Sequence, residues 1–476
     1  MLPIEFENRM KDLLGGESGR FLAEIESGVA VRSFRINEIK AKVEDCDKLA
    51  LGVDGTRIAF PKGAFCTEEE HPGSLPCHHA GMIYMQDPSA MATVHAIKIP
   101  RGALVLDSCS APGGKTTQLA AMTGEEGIVV ANEYEAKRCR ILLGNVERMG
   151  CRNTVVVNLD TSVLAEVYPE KFDVVLCDAP CSGEGMFRKN RQAIEEWSLD
   201  NVKMCAERQR EILANVAKCV APGGSLIYST CTFSLEENEM NVRWFLETHS
   251  DFELIDVEDG LRAVTSDGIC LDGCEIDMTK ARRFYPHVSR GEGQFIAVMK
   301  REASPENSET VTSRRDKNKR KRSASDKRSR EEVELLEAAN SFLRENLCEG
   351  FENGVEYRLV ALNNRAYLSR NIALPSYGVF SAGVCVGEIN GRRFLPHHQL
   401  FSAFGASFKR RVMLSGSDPE IKLYIKGLEI GAAHAEEYED KPDGWAAVFV
   451  DGCALGGGKI SGGICKNHYP KGLREQ

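Results

Sequence analysis

The stretch Leu106-Asp107-Ser108-Cys109-Ser110-Ala111-Pro112-Gly113-Gly114-Lys115-Thr116 decides the fold. A short apolar run over 103–106 ends in an acid and passes into a turn with paired glycines, and residues 116–122 then have a helical pattern. Strand, glycine turn and helix start in that order make a nucleotide-binding arrangement, because residues lacking a side chain let the backbone approach a ligand. The competing reading is a phosphate-binding P-loop, G-x-x-x-x-G-K-[ST]. Gly114-Lys115-Thr116 fits its end, but the first glycine would have to stand at Cys109, so that reading fails on its own pattern.

Outward from this turn, short β-branched or apolar runs alternate with longer amphipathic ones. Strands are expected at 103–106, 127–132, 154–158, 172–177, 224–229 and 294–299, with helices at 116–122, 136–149 and 202–220. That alternation predicts an α/β fold with a doubly wound, mostly parallel sheet. Ligands on such sheets bind beyond the carboxyl ends of the strands.

Three of those ends carry acids: Glu133, Asp160 and Asp178. Glu133 lies about 20 residues after the glycine turn, where a carboxylate accepts hydrogen bonds from ribose hydroxyls. A lone aspartate there is more often a helix cap. Together the three form a rim suited to a nucleoside bearing a cationic group, and S-adenosyl-L-methionine is such a ligand.

Two strand ends also carry cysteines, in Asp178-Ala179-Pro180-Cys181-Ser182-Gly183-Glu184-Gly185 and in Tyr228-Ser229-Thr230-Cys231-Thr232. An isolated free cysteine is usually a small buried hydrophobe. These two stand in polar, turn-forming sequence, where an accessible thiol is expected and a thiolate is favoured by neighbouring dipoles or cations. Carbon 5 of cytosine is a poor nucleophile until a thiolate adds to carbon 6. A base must afterwards remove the carbon 5 proton so that the thiolate can leave. Two cysteines facing one base can divide those tasks.

The segments DSCSAPGGKTT, ANEYEAKR, DAPCSGEGMFRK and YSTCTFSLEENE resemble, in order and spacing, the motifs of the RNA 5-methylcytosine methyltransferases of the Nol/Nop/Sun family. Gln86-Asp87-Pro88-Ser89, Pro286-His287 and Gly291-Glu292-Gly293 extend the resemblance over roughly residues 80–300. Ser108 and Ser110 depart from it, standing where many members carry small apolar residues. The resemblance implies a Rossmann-like methyltransferase core. It makes Cys231 the nucleophile, Cys181 the thiol that assists product release, and Asp178 a contact to the cytosine ring. It also places Cys109, Ser110, Ala111, Pro112, Gly113, Gly114, Lys115, Glu133, Asp160 and Asp178 around S-adenosyl-L-methionine.

The flanks narrow the branch. Leu2-Pro3 with Phe6, then Arg35-Ile36-Asn37, and the tail Lys466-Asn467-His468-Tyr469-Pro470-Lys471-Gly472-Leu473-Arg474 look like the RsmF-like branch, which implies methylation of 16S ribosomal RNA and a C-terminal PUA-like domain. In the tail, Lys466, His468, Lys471 and Arg474 offer charge for phosphates and Tyr469 a ring for stacking. The rival readings are an ordinary basic terminus, the same chemistry on transfer RNA, and a ribosome-assembly factor without catalysis. Retention of both cysteines and Asp178 argues against the last.

The 476 residues suffice for several domains. The expected division is an N-terminal accessory region (1–75), the methyltransferase core (76–300), a basic linker (301–330), a small central domain (331–400) and the PUA-like domain (401–476). The remainder after 352 reads as β-rich, and 331–347 as a helix. A net charge of −10 means that RNA binding must rely on local basic patches. The linker, with 11 basic and 5 acidic residues, is locally basic and reads as disordered.

No run approaches a membrane span and the N-terminus lacks a signal pattern, so a cytoplasmic protein is expected; a monomer is expected as well. The 17 cysteines include no Cys-x-x-Cys pair, and Cys77-His78-His79 reads as structural. Reduced thiols and no metal are expected. Ser234 and Glu237 fit a capping box, His397-His398 a packing pair, and Lys189 either a phosphate contact or an acid partner.

Overall fold

A computed structural model describes residues 2–41, 43, 53–303, 329–432, 435–436 and 443–474. Its central sheet contains β1 (Leu104–Asp107), β2 (Ile128–Asn132), β3 (Thr154–Val157), β4 (Phe172–Asp178), β5 (Val220–Thr230), β6 (Phe252–Ile255), β7 (Ser266–Asp267), β8 (Arg282–Phe284), β9 (Gln294–Arg301) and β10 (Val379–Ser381). The order is β7-β8-β9-β5-β4-β1-β2-β3-β10, with β6 also paired to β9. Strands β3, β2, β1, β4 and β5 run parallel, and β9 is antiparallel to β5. The doubly wound sheet expected from the sequence is therefore present, its five parallel strands at the centre flanked by antiparallel strands on both edges.

Side-chain alternation along these strands makes two cores. Leu106, Val130, Val155 and Val175 join Leu164, Leu213 and Val216 of helices Thr161–Val167 and Leu199–Ala217 on one face. Val105, Val129, Val156 and Val174 join Leu119, Leu142 and Val146 of helices Gly114–Thr123 and Ala136–Arg148 on the other. Burial on both faces explains why the strands read as continuous apolar runs.

The N-terminal helices Ile4–Leu14 and Ser18–Glu26 pack Phe6 and Phe21 on Phe187, Trp197, Phe233 and Tyr285, so they brace the loops that follow β4 and β5. A four-stranded antiparallel sheet, Ser33–Ile36, Thr56–Arg57, Ala64–Cys66 and Ile83–Met85, lies between those helices and the core in sequence.

Arg301 ends β9, and helix Arg330–Asn346 opens with a capping box formed by Ser329 and Glu332. Of the basic stretch, residues 304–328 lie outside the described residues. The β-rich remainder forms one four-stranded and one six-stranded sheet. Strand β10 belongs to neither: it pairs antiparallel with β3, Val379 facing Val157, and covers that edge of the core. Helix His398–Phe404 crosses the division at 400/401 because Leu400, Phe401 and Phe404 pack with Leu368 and Val384 of one sheet and Ala447 and Phe449 of the other. Among the described residues no helix is long and apolar enough to cross a membrane.

Candidate active site

Gly113 has φ +109°, a left-handed conformation, and a Cβ there would meet Leu142 Cδ1 at 3.2 Å. Only glycine makes this turn without strain, and it delivers the chain into the N-terminus of helix Gly114–Thr123. Ser110 fixes the preceding loop, its N–H donating to Asn132 O at 2.8 Å and its hydroxyl to Asp107 O at 2.7 Å. Asn145 Nδ2 donates to Pro112 O at 2.9 Å. Cys109 is half-buried, and a hydrogen bond shared with Cys177 followed by burial pushes its thiol well above the ordinary range.

Glu133 is buried beside this loop, where Oε2 accepts from Ala111 N–H at 3.3 Å and Oε1 from Glu135 N–H at 3.0 Å. Asp160 is exposed and caps helix Thr161–Val167, its Oδ1 accepting from Ser162 N–H at 2.9 Å, so the cap reading describes one of its two oxygens. Asn132, which the sequence reading passed over, ties the three strand ends together by donating to Ser108 O and Leu159 O at 3.0 and 3.1 Å.

Asp107 tests whether this cradle suits a cationic nucleoside. It is fully buried; Oδ2 accepts from Thr116 Oγ1 at 2.6 Å, while Oδ1 has no hydrogen-bond partner among the described residues. Burial lifts its carboxyl to about 7. An unsatisfied buried acceptor at the end of β1, with Glu133 close by, matches a ligand carrying hydroxyls and positive charge. S-adenosyl-L-methionine fits this donor and acceptor set.

At the end of β4, Asp178 is half-exposed and held on both oxygens. Lys115 Nζ donates to Oδ2 at 2.7 Å; Ser229 Oγ and Gln294 Nε2 donate to Oδ1 at 2.6 and 3.1 Å. Cys181 and Cys231 are both half-buried, and their sulfurs lie 3.1 Å apart. The hydrogen bond shared with Cys231, then burial, pushes Cys181 well above the ordinary thiol range.

Three loops converge on these sulfurs because glycines allow it. A Cβ on Gly185 would lie 2.8 Å from Cys231 O, and one on Gly293 would lie 2.4 Å from the Phe233 ring. Gly185 N–H donates to Cys231 O at 2.8 Å, and Ser182 and Thr232 hydroxyls bond at 2.9 Å. Beneath them Glu184 accepts from Thr232 Oγ1, Phe233 N–H, Ser234 Oγ and Trp197 Nε1, all within 3.0 Å.

The capping-box reading of Ser234 and Glu237 is corrected by these contacts. The helix begins at Glu239 without a side-chain cap, Ser234 serves Glu184, and Glu237 Oε2 reaches Ser182 N–H at 3.0 Å. The buried loop amides and hydroxyls claim both side chains before a helix end can. Lys189 proves to be an acid partner, 3.4 Å from Asp87 Oδ2 and 3.3 Å from Glu292 Oε1. His398 is buried in packing, and His397 caps the helix that follows.

At the C-terminus the structure separates the tail residues. Lys466 and Lys471 are exposed. Tyr469 is 1% exposed, its hydroxyl 2.9 Å from His79 Nδ1 and its ring against His398 and Tyr424. The stacking role read for Tyr469 is therefore corrected: protein already occupies its faces. His468 is corrected likewise, with Nε2 2.7 Å from Pro396 O and the ring against Trp445. Arg474 donates from Nε and Nη2 to Tyr469 O at 3.1 and 2.9 Å, closing this corner. Among the described residues no disulfide and no cluster suited to a metal ion is present.

Residues 94–300 match the family described as 16S rRNA methyltransferase RsmB/F, residues 2–88 the N-terminal domain of 16S rRNA methyltransferase RsmF, and residues 412–475 the methyltransferase RsmF PUA domain. Ribosomal RNA small subunit methyltransferase F of Klebsiella pneumoniae is 30% identical over 459 residues, 93% of this chain and 90% of that protein. The Escherichia coli protein of that name is 35% identical over 284 residues, and that match spans 57% of each. Among solved structures, a methyltransferase homolog from Pyrococcus horikoshii superposes with TM-score 0.54 at 30% identity, covering 62% of this chain and 93% of that one. NSun6 from the same organism, solved with SFG, shares the fold at TM-score 0.52 and 21% identity, over 63% of this chain and 99% of that one. The cofactor is S-adenosyl-L-methionine, and the chain belongs to the RsmF family of 16S ribosomal RNA methyltransferases.

Proposed function

We propose that this protein methylates carbon 5 of a cytosine in 16S ribosomal RNA through a covalent bond from Cys231 to carbon 6. The observation that carries the reading is the 3.1 Å approach of Cys181 and Cys231 sulfurs from two different strand ends. One thiol suffices for nucleophilic attack; a second in contact with it has the later task of taking a proton from the neighbouring carbon.

With the two sulfurs 3.1 Å apart, a proton on Cys181 would favour negative charge on Cys231 before attack. Asp178 is fixed by Ser229, Gln294 and Lys115 and presents a carboxylate to the amino edge of the pyrimidine. Addition of Cys231 to carbon 6 raises electron density at carbon 5. When bound, S-adenosyl-L-methionine supplies an electrophilic methyl group. After Cys181 has lost its own proton to solvent, its thiolate takes the carbon 5 proton; the C–H electron pair re-forms the carbon 5–carbon 6 double bond as the carbon 6–sulfur bond breaks and Cys231 leaves as a thiolate.

In this reading residues 76–300 carry the chemistry in a cytoplasmic monomer, while 1–75 and 401–476 add RNA affinity, with Lys466 and Lys471 as phosphate contacts. Bisulfite sequencing of stable RNAs from cells with and without the gene tests it. A protected cytosine in 16S ribosomal RNA that disappears with the gene supports it; loss confined to transfer RNA, or no loss, overturns it.

A further inference from the structure

Glu237 has no part in the reaction above, yet it is fully buried within the site. Its Oε2 accepts from Ser182 N–H at 3.0 Å and from Gln209 Nε2 at 2.8 Å. Gln209 Nε2 also donates to Pro180 O at 3.0 Å. These contacts grip the peptide group on each side of Cys181. The Gln209 amide has one permitted orientation, because its Oε1 accepts from Tyr228 Oη at 3.0 Å and Asn241 Nδ2 at 2.9 Å.

Cys231 is held by a different set. Gly185 N–H donates to its carbonyl, Thr230 Oγ1 donates to Asn238 Oδ1 at 2.6 Å, and Asn238 Nδ2 donates to Thr232 O at 3.0 Å. Two largely separate buried networks thus fix the two sulfurs. The Glu237 side chain also carries an oxygen, Oε1, with no partner among the described residues, and burial lifts its carboxyl to about 7. A buried acid at this place supplies geometry that an apolar residue cannot.

We propose that Glu237 and Gln209 are positioning residues for Cys181, holding its sulfur for the release half of the reaction through the peptide groups on either side of it. This rests on the roles given above to Cys231 and Cys181. Loss of the grip lets Cys181 drift while leaving Cys231 in place, and misplacement of a reacting group by about 1 Å can cost 10²-fold in rate.

The test compares the full chain as wild type, Glu237→Ala, Glu237→Gln, Gln209→Leu and Cys181→Ala on immature small subunits, with circular dichroism confirming folding. Glu237→Ala is expected to form the covalent protein–RNA adduct and transfer one methyl group within a few-fold of wild type. Its turnover should fall by about 10- to 100-fold while adduct accumulates. Glu237→Gln, whose amide oxygen still accepts from Ser182 N–H, should recover most of the turnover. Equal loss of adduct formation and turnover, or wild-type turnover, overturns the proposal. If Glu237→Ala does not fold, Gln209→Leu carries the same expectations. Adduct accumulation in Cys181→Ala without it in either positioning variant sinks only this inference; no adduct in Cys181→Ala removes the assigned roles and the inference with them.

Discussion

Lys115 Nζ lies 2.7 Å from Asp178 Oδ2, joining the helix that follows the glycine turn to the end of β4. Lys115 is 11% exposed in its side chain and Asp178 31%. Hydrogen bonds to charged groups contribute about 1.5–3 kcal/mol, less where solvent reaches the pair. Lys115→Met should therefore lower kcat/KM for RNA methylation roughly tenfold by loosening Asp178, measured by steady-state methyl incorporation. Unchanged kcat/KM would show that Ser229 and Gln294 hold Asp178 alone.

Glu133 supports the Ala111 and Glu135 amides, and we propose that it also accepts from the ribose hydroxyls. Glu133→Ala should weaken S-adenosyl-L-methionine by about 10–150-fold, the equivalent of 1.5–3 kcal/mol. Calorimetry showing wild-type affinity would remove Glu133 from the site.

The C-terminal residues should divide by burial. Charge reversal at Lys466 and Lys471 should weaken RNA binding and lower the slope of log affinity against log salt by about one for each phosphate left unpaired. Tyr469→Ala should instead destabilise the fold by about 3–5 kcal/mol, the range for deleting a large buried aromatic ring. Salt titrations and thermal melts distinguish the two; a Tyr469→Ala protein of wild-type stability with impaired RNA binding would restore the stacking role.

Asp107 gives the protein without cofactor a pH signature. Its folded pKa of about 7 lies above the ordinary 3.8, so between those values the folded state holds a proton the unfolded chain has lost. Stability from this group is present at low pH and falls as pH rises through that window. Asp107→Asn should flatten the decline in melting temperature between pH 5 and 8. A decline of the same steepness in the variant contradicts the assignment.

How much of this was legible in the sequence depended on how local each signal is. The apolar runs before Asp107, Glu133 and Asp178 and the glycine turn after Asp107 are short-range patterns, and the strands fall within a few residues of expectation. Cys181 and Cys231 could be placed at strand ends, but their contact spans 50 residues and depends on Gly185 admitting the Cys231 carbonyl. Tyr469 looks like a stacking ring in a basic tail because its burial comes from residues far away in sequence, His398, Tyr424 and His79, the last 390 residues away. Glu237 satisfies the spacing of a capping box, and only the unsatisfied amide of Ser182 on another loop redirects it. Strand β10 was missed for a similar reason, since its partner β3 lies more than 200 residues earlier.

The central claim is that the two thiols act in sequence, and trapping on a denaturing gel reads it directly. Cys231→Ala should give neither methylation nor a covalent protein–RNA complex. Cys181→Ala should attack and transfer methyl, then stall as an adduct that survives denaturation. An adduct in Cys231→Ala but none in Cys181→Ala would contradict the assignment and make Cys181 the nucleophile.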